Sequence, residues 1–288
     1  MRESKGEKLF YGINYLLLTC IACLCVYPLI YILSASLSNP MEVISGNVVL
    51  LPKQITLETY RRVLQNSEIW IAFANTVFYT LAGTVISMVL SILGAYSLSK
   101  KRLMGRRWIS FFISLNLWFQ AGIIPVYLNI VNLHMLNTRW GILIPFALST
   151  FNVIILRTYF EGIPDALEEA AKIDGASDPF ILFKIYLPLA LPSLATIALF
   201  YAVSRWNGYF WSMVLLQDDS KVPLQVVLKK MIVETMAVSQ ANVDTTEKVS
   251  QETFIYATII VSILPMMFFY PFIQKYFIKG MTVGAVKG

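Results

Sequence analysis

The sequence predicts an all-helical integral membrane protein with six transmembrane helices. Of its 288 residues, 57% are hydrophobic and only 14% are charged, whereas a soluble domain is typically about 25% charged. A spanning helix needs roughly 20 apolar residues, so the chain has room for about six. The net charge of +6 does not indicate nucleic-acid binding, because in a membrane protein the location of charges matters more than their sum.

Six apolar runs are the predicted spans, and together they form one membrane domain over residues 1–288. The spans lie at residues 10–33, 69–98, 108–130, 140–160, 189–216 and 254–278, with longer loops at 34–68, 161–188 and 217–250. The first run is followed by Ser34-Ala35-Ser36, which resembles a signal-peptide cleavage site. That run is longer than the usual signal-peptide core of about 7–15 residues, which favours a retained helix.

The distribution of basic residues predicts which loops face the cytoplasm. Segments 1–8, 100–107, 157–184 and 275–288 hold 3, 5, 3 and 3 Lys and Arg, whereas the intervening loops hold 3, 1 and 4. Cytoplasmic loops carry an excess of Lys and Arg, above all where they are short. Both termini, the basic turn at 100–107 and the 161–188 loop are therefore expected in the cytoplasm.

The stretch from Glu168 to Pro192 has the pattern of two short helices separated by a break. Pro164 fits the first turn of the first helix, where its missing N–H is not needed. Gly175 suits the left-handed conformation that ends a helix, and Ser177 suits the cap of the next. Such a hairpin favours docking into a groove of a soluble partner. An amphipathic helix lying at the membrane interface fits the pattern equally well.

Motifs for energy conversion and catalysis are absent from the sequence. It contains no G-x-x-x-x-G-K-S/T phosphate-binding loop, and its one histidine, His134, makes a His-rich metal site implausible. Acidic residues lie in the loops and ends, so the intramembrane carboxylates of ion-driven transporters are missing. Cys20, Cys23 and Cys25 share one apolar run without His or carboxylate nearby, which favours packing over metal binding. A partner is therefore expected to supply the energy.

Polar side chains within predicted spans are candidates for a substrate pathway. The candidates are Asn75, Asn116, Gln120, Arg205, Trp206, Asn207 and Tyr209. Aromatic faces combined with amides and hydroxyls suit a sugar, and Arg205 facing the pathway would favour an acidic one. Alternatively, Arg205 snorkels to the membrane interface or bonds backbone carbonyls, and Trp206 and Trp211 belong to an interfacial aromatic belt. The amides, with Asn152, would then join neighbouring helices.

The predicted hairpin resembles the EAA loop of ABC-importer permeases. The matching residues are Glu169-Ala170-Ala171, Asp174-Gly175-Ala176, Ile185, Leu187-Pro188 and Pro192. Over most of its length the chain is similar to the inner subunit of maltose-type carbohydrate importers, closest to the branch of alginate and aldouronate permeases. Further similar segments are 49–60, Asn75-Thr76, Trp206-Asn207 and the C-terminal run from Gln274 to Gly288.

The resemblance implies a type I importer permease fold in a bacterial plasma membrane. It implies a second, homologous permease, two cytoplasmic ATPase subunits that bind ATP and Mg, and an extracytoplasmic solute-binding protein. No cofactor in this chain and no nucleic acid are implied; lipid surrounds the spans. The residues implied in ATPase coupling are Glu168, Glu169, Ala170, Ala171, Asp174, Gly175, Ala176, Phe180 and Phe183. Glu169 would pair with a basic residue of the ATPase groove and Gly175 would supply the bend, whereas Glu168 is an extra acid beside the motif.

Other interpretations predict different behaviour. A stand-alone secondary transporter or channel for a small polar solute would work without ATPase subunits. A membrane-embedded enzyme is disfavoured because no nucleophile, base or metal cluster is visible. Within the 217–250 loop, the apolar segment Pro223–Lys230 could contact the solute-binding protein or its bound ligand, or it could form a lid on its own subunit.

Overall fold

The computed structural model describes residues 5–240 and 251–268, and in these ranges the regular structure is helical, without strands. The helices are α1 (Lys5–Ser36), α2 (Pro40–Ile44), α3 (Glu58–Gln65), α4 (Ser67–Ser99), α5 (Arg106–Leu115), α6 (Ile123–Asn132), α7 (Arg139–Leu143), α8 (Thr150–Glu161), α9 (Asp165–Ile173), α10 (Asp178–Leu189), α11 (Leu191–Trp206), α12 (Phe210–Leu215), α13 (Leu224–Gln240) and α14 (Gln251–Phe268). A 3-10 turn covers Asp219–Lys221, and α10 contains a π-helical turn over Leu182–Tyr186. The prediction of an all-helical fold is confirmed for these ranges.

Three described helices are long and apolar enough to cross a membrane, namely α1, α4 and α14. A fourth span results if α10 and α11, which are bent by 85° at their junction, count together. Helices α1, α4 and α14 lie on the predicted first, second and sixth spans, and the pair of α10 and α11 lies on the fifth. The predicted end of the sixth span, beyond Phe268, and the C-terminal run from Gln274 lie outside the described residues.

The predicted third and fourth spans are not continuous helices. The third is divided into α5 and α6 by the non-helical residues 116–122, and the fourth into α7 and α8 by residues 144–149. The second break contains Pro145, and a helix usually ends at or before the residue that precedes a proline. The predicted fifth span likewise stops at Trp206 and resumes in α12. Six complete spans therefore remain a prediction.

The chain divides into two compact units. One consists of residues up to Ile69 together with the described residues from Leu228 to Leu264. In this unit the end of α1 is tied to the loop that follows, because the Ser34 hydroxyl donates to the Leu50 carbonyl at 2.6 Å and Ser36 bonds the Tyr60 hydroxyl at 2.8 Å.

The other unit contains residues 70–227 and has a buried core between the end of α4 and helices α8, α10 and α11. Tyr96, Leu156, Phe160, Tyr186 and Ile197 belong to this core. The core fixes the position of the predicted hairpin, which follows α8 directly.

A close backbone approach in the second unit gives a test of the fold. A Cβ on Gly141 would lie 2.4 Å from the Met135 carbonyl oxygen. We expect Gly141→Ala to destabilise the protein by about 1–3 kcal/mol through overpacking, measured as a lower melting temperature in detergent. Gly94→Ala is the matched control, because a Cβ there meets nothing within 4 Å. Equal melting temperatures for the two variants would contradict the described packing.

Candidate functional site

Helix α9 ends where the sequence predicted a break. Gly175 has a φ of 79°, in the left-handed region. The Gly175 N–H donates to the Lys172 carbonyl at 3.0 Å and the Ala176 N–H to the Ala171 carbonyl at 2.9 Å. These two bonds form a Schellman motif, which is the usual partner of a left-handed glycine at a helix end. The predicted role of Gly175 in ending the helix is confirmed.

The start of α10 differs from the prediction in one detail. Ser177 occupies the N-cap position, but its hydroxyl makes no capping hydrogen bond. A capping hydroxyl accepts from the N–H of the second or third helical residue. The second is Pro179, which has no N–H, so only the Phe180 N–H is left as a donor.

The outer face of the hairpin exposes apolar side chains. Ile173 is 86% exposed, Phe183 62% and Phe180 53%. Glu169 and Ala170 are also exposed, as are Asp174 and Gly175, whereas Ala171 and Ala176 are half-buried. The hairpin (α9, α10 and the turn between them) therefore presents an apolar surface with Glu169 at its edge.

Glu168 points the other way and is buried, with 8% of its surface exposed. Its carboxylate pairs with the Lys100 ammonium at the end of α4. It also accepts hydrogen bonds from Lys172 Nζ at 2.5 Å and from the Tyr186 hydroxyl at 2.9 Å. The sequence identified Glu168 only as an extra acid, and it did not identify Lys100 or Tyr186. In the structure Glu168 shares the inward face of α9 with Ala171, and the sequence alone does not show which face is inward.

Burial by itself opposes ionisation of Glu168. The hydrogen bonds from Lys100, Lys172 and Tyr186 outweigh that effect and lower the pKa of Glu168 from its ordinary 4.5 to about 2. Burial also lowers the pKa of Lys100, and the hydrogen bond to Glu168 opposes this shift. The Glu168 carboxyl is therefore ionised at neutral pH.

Aromatic rings enclose the Lys100 ammonium. Its Nζ lies 3.6 Å from the centre of the Tyr186 ring and 4.1 Å from that of Tyr96, within the range of cation–π attraction. Phe160 of α8 packs edge-on against both rings, at 6.4 and 5.6 Å between centroids. We call Tyr96, Lys100, Phe160, Glu168 and Tyr186 the anchor cluster.

More exposed ion pairs surround the anchor cluster and join the same elements. Lys101 lies 2.8 Å from Asp165, and Arg102 lies 2.5 Å from Asp178. Arg106 pairs with Glu161 at the end of α8. Exposed pairs of this kind contribute only about 0–1 kcal/mol each, but together they show that the basic turn and the hairpin are adjacent.

A second site is a cavity of about 650 Å³ in the same unit. It brings together three of the predicted pathway residues, Arg205, Asn207 and Tyr209, with Asn152 also in its wall. Phe146 and Trp211, which also line it, stack with their centroids 5.0 Å apart. The cavity thus combines aromatic faces with amide and hydroxyl groups.

In the wall of this cavity, the Arg205 side chain connects α11 to the end of α7. Its guanidinium donates to the carbonyls of Ile142 at 2.8 Å, Leu143 at 3.3 Å and Phe146 at 2.5 Å. These carbonyls belong to the end of α7 and the break after it, where helical partners are missing. Gly83 provides the space, because a Cβ there would lie 2.9 Å from Arg205 Nε.

The other predicted pathway residues lie elsewhere. Trp206 is buried and meets Phe73 edge-on at 6.0 Å. Asn75 is buried and donates to the carbonyls of Ser220 at 2.8 Å and Val222 at 3.1 Å. Asn116 and Gln120 are exposed, at and after the end of α5. The cavity contains none of these four residues.

The apolar segment at the start of α13 is packed rather than free. Leu224, Val226 and Val227 are buried, and the Leu224 N–H donates to the Thr76 hydroxyl at 2.8 Å. Of the two interpretations of this segment, the geometry favours a lid on its own subunit. Residues 241–250 of the same loop lie outside the described residues.

This fold and hairpin define an integral membrane subunit of a transport system. The chain belongs to the family of binding-protein-dependent transport system inner membrane components, whose profile matches residues 83–283. Membership in this family decides against a stand-alone transporter or channel and against an enzyme.

Relatives and a solved structure agree with this assignment. The chain is 39% identical to the polygalacturonan/rhamnogalacturonan transport system permease protein of Bacillus subtilis, over 98% of this chain and 99% of that protein. It is 28% identical to an arabinooligosaccharides transport system permease protein of Halalkalibacterium halodurans, over 93% of both. It also matches a chain in the crystal structure of a bacterial ABC transporter involved in the import of the acidic polysaccharide alginate. That match has a TM-score of 0.88 and 45% identity, over 96% of this chain and 99% of that chain.

The shifted pKa of Glu168 predicts how acid affects the hairpin. Because the folded pKa lies below the ordinary 4.5, the ionised carboxylate stabilises the hairpin fully above pH 4.5. This contribution, about 3 kcal/mol, is lost as the pH falls from there to about 2. We expect amide hydrogen exchange in α9 and α10, corrected for its intrinsic pH dependence, to accelerate in that window. Glu168→Gln should exchange faster at neutral pH and show no such change on acidification; the same acid response in both proteins would contradict the assignment.

Proposed function

We propose that the chain is one permease subunit of an ATP-driven importer of acidic oligosaccharides. Its partners are a second, homologous permease, two cytoplasmic ATPase subunits that hold ATP and Mg, and an extracytoplasmic solute-binding protein. The observation that carries the proposal is the exposed apolar face of the hairpin, which is anchored to the end of α4. Because the sequence has no phosphate-binding loop, transport has to be driven by a separate ATPase, and that ATPase needs a surface of this kind to bind.

The proposed orientation places the hairpin in the cytoplasm. Ion pairs join Lys101, Arg102 and Arg106 of the basic turn to the segment 161–178, so the turn and the hairpin share one end of the bundle. The positive-inside rule assigns a short basic turn to the cytoplasm. Both termini follow on the same side if six spans are complete.

Coupling requires that nucleotide binding shift the permease between inward-open and outward-open states. A shift from 1:99 to 99:1 needs about 5.5 kcal/mol of differential binding. Ile173, Phe180 and Phe183 are largely exposed, and full burial of such a side chain contributes about 1.5–3 kcal/mol. Docking of this face in an ATPase groove is therefore strong enough to transmit the shift.

The cavity supports an acidic sugar as the substrate. Arg205 brings a positive charge to its wall, and no Asp or Glu is among the described residues that line it. The stacked pair of Phe146 and Trp211 offers an apolar platform for a sugar ring. Two of the proteins that the chain resembles are named for acidic glycans, alginate and polygalacturonan.

The role of the hairpin is tested by Gly175→Pro. Proline fixes φ near −65° and cannot adopt the φ of 79° found here, so the angle between α9 and α10 must change. We expect membrane insertion to be intact, while ATP-dependent uptake and substrate-stimulated ATPase activity of the assembled importer are abolished. Gly175→Asn is the matched control, because asparagine tolerates the left-handed region, and it should retain most activity. Normal uptake by the proline variant would count against the proposal.

The charge of the substrate is tested at Arg205. Uptake of an oligogalacturonide and of its carboxyl-reduced, neutral counterpart is compared in the wild type, Arg205→Lys and Arg205→Gln. In Arg205→Gln we expect uptake of the acidic glycan to fall about tenfold further than uptake of the neutral one. This ratio corresponds to about 1.4 kcal/mol. The lysine variant keeps the charge and should keep the preference. Equal loss of uptake for both substrates in Arg205→Gln would mean that Arg205 acts only by bonding the carbonyls at and after the end of α7.

A further inference from the structure

Lys100 and Glu168 are the only charged residues that are buried in the described part of the chain. They come from different elements, since Lys100 follows the last residue of α4 and Glu168 lies in the middle of α9. Tyr186 adds a third element, because its hydroxyl donates to Glu168 from α10. The membrane-crossing helix and both arms of the hairpin therefore meet at one carboxylate.

Stability alone does not account for a buried ion pair. Desolvation of both charges offsets much of their attraction, so a well-packed apolar pair often stabilises a fold equally well. What the pair adds is a defined geometry, because an ammonium and a carboxylate held among hydrogen bonds tolerate little displacement. The rings of Tyr96 and Tyr186, 4.1 and 3.6 Å from Lys100 Nζ, restrict the ammonium further.

We propose that the Lys100–Glu168 pair is the positioning contact that makes α9 and the cytoplasmic end of α4 move as one body. This inference rests on the proposed coupling function of the hairpin. Displacement of α9 by an ATPase is then passed directly to the membrane-crossing helix. In this arrangement the two neighbouring acids have separate roles, with Glu169 facing the partner and Glu168 facing the permease's own span.

The test uses the assembled importer in proteoliposomes and measures the ATP hydrolysed per oligogalacturonide transported. Glu168→Gln and Lys100→Met remove the two charges separately. We expect each variant to assemble with all subunits and to raise this ratio about tenfold, within the usual range of coupling between sites. The double variant should match either single variant, since the residues act as a pair. Wild-type ratios in the single variants, or effects that multiply in the double variant, would overturn the inference.

The chain provides a matched control on the same two segments. Lys101 and Asp165 also form an ion pair at 2.8 Å, but their side chains are 80% and 66% exposed. Lys101→Met and Asp165→Asn should leave the ratio of ATP to substrate unchanged, because an exposed pair does not fix the geometry. An increase equal to that of the buried pair would mean that any charge lost from this region uncouples transport.

If a variant fails to assemble, the inference is tested by a distance measurement on an importer that keeps both Lys100 and Glu168. Spin labels are placed at the exposed positions Ser97 on α4 and Ala166 on α9, after replacement of Cys20, Cys23 and Cys25. The two labels should show the same distance distribution in the nucleotide-free and the ATP-trapped importer. A shift between the two states would overturn the inference. If the wild-type importer does not take up the oligogalacturonide with ATP, the proposed function is contradicted instead. Failure of the inference and failure of the proposed function therefore give different results.

Discussion

The ion pair between Glu168 and Lys100 is the contact on which the arrangement of the hairpin depends. Because Glu168 is directed inward, the opposite face of α9 is directed outward, and Ile173 is left 86% exposed. The Schellman turn at Gly175 then returns the chain so that Tyr186 reaches the same carboxylate. A surface for docking and an anchor within the core thus arise from two faces of one short helix.

The cavity follows a similar physical rule. A break in a membrane helix leaves carbonyl groups without partners, and such groups must be satisfied within the protein. Arg205 satisfies three of them, at the end of α7 and in the break after it, and the absence of a side chain on Gly83 makes room for it. A charge that would be unfavourable in a continuous apolar helix is stabilised because the neighbouring helix is broken. The same guanidinium gives the cavity wall its positive charge.

The local features of the hairpin could be predicted from the sequence because they depend on neighbouring residues. Gly175 ends α9 through its own backbone freedom, and the pattern of two short helices separated by a break predicted α9 and α10. Ser177 takes the predicted N-cap position, but its hydroxyl makes no capping bond, and Pro179 removes one of the two N–H donors that it could use. For the cavity, the sequence placed Arg205, Asn207 and Tyr209 together, but it could not tell that Trp206, in the same stretch, is buried against Phe73.

By itself the sequence determined the helical class, the membrane location and the hairpin, since composition, periodicity and the spacing of breaks are properties of the chain alone, and its resemblance to known permeases indicated the family. Only the tertiary structure decided the partner of Glu168, because 68 positions separate it from Lys100 and either residue is equally compatible with an exposed surface. The same holds for Arg205 and the carbonyls at and after the end of α7, about 60 residues away. Contacts between distant segments depend on how helices pack, and the pattern within each helix does not specify them.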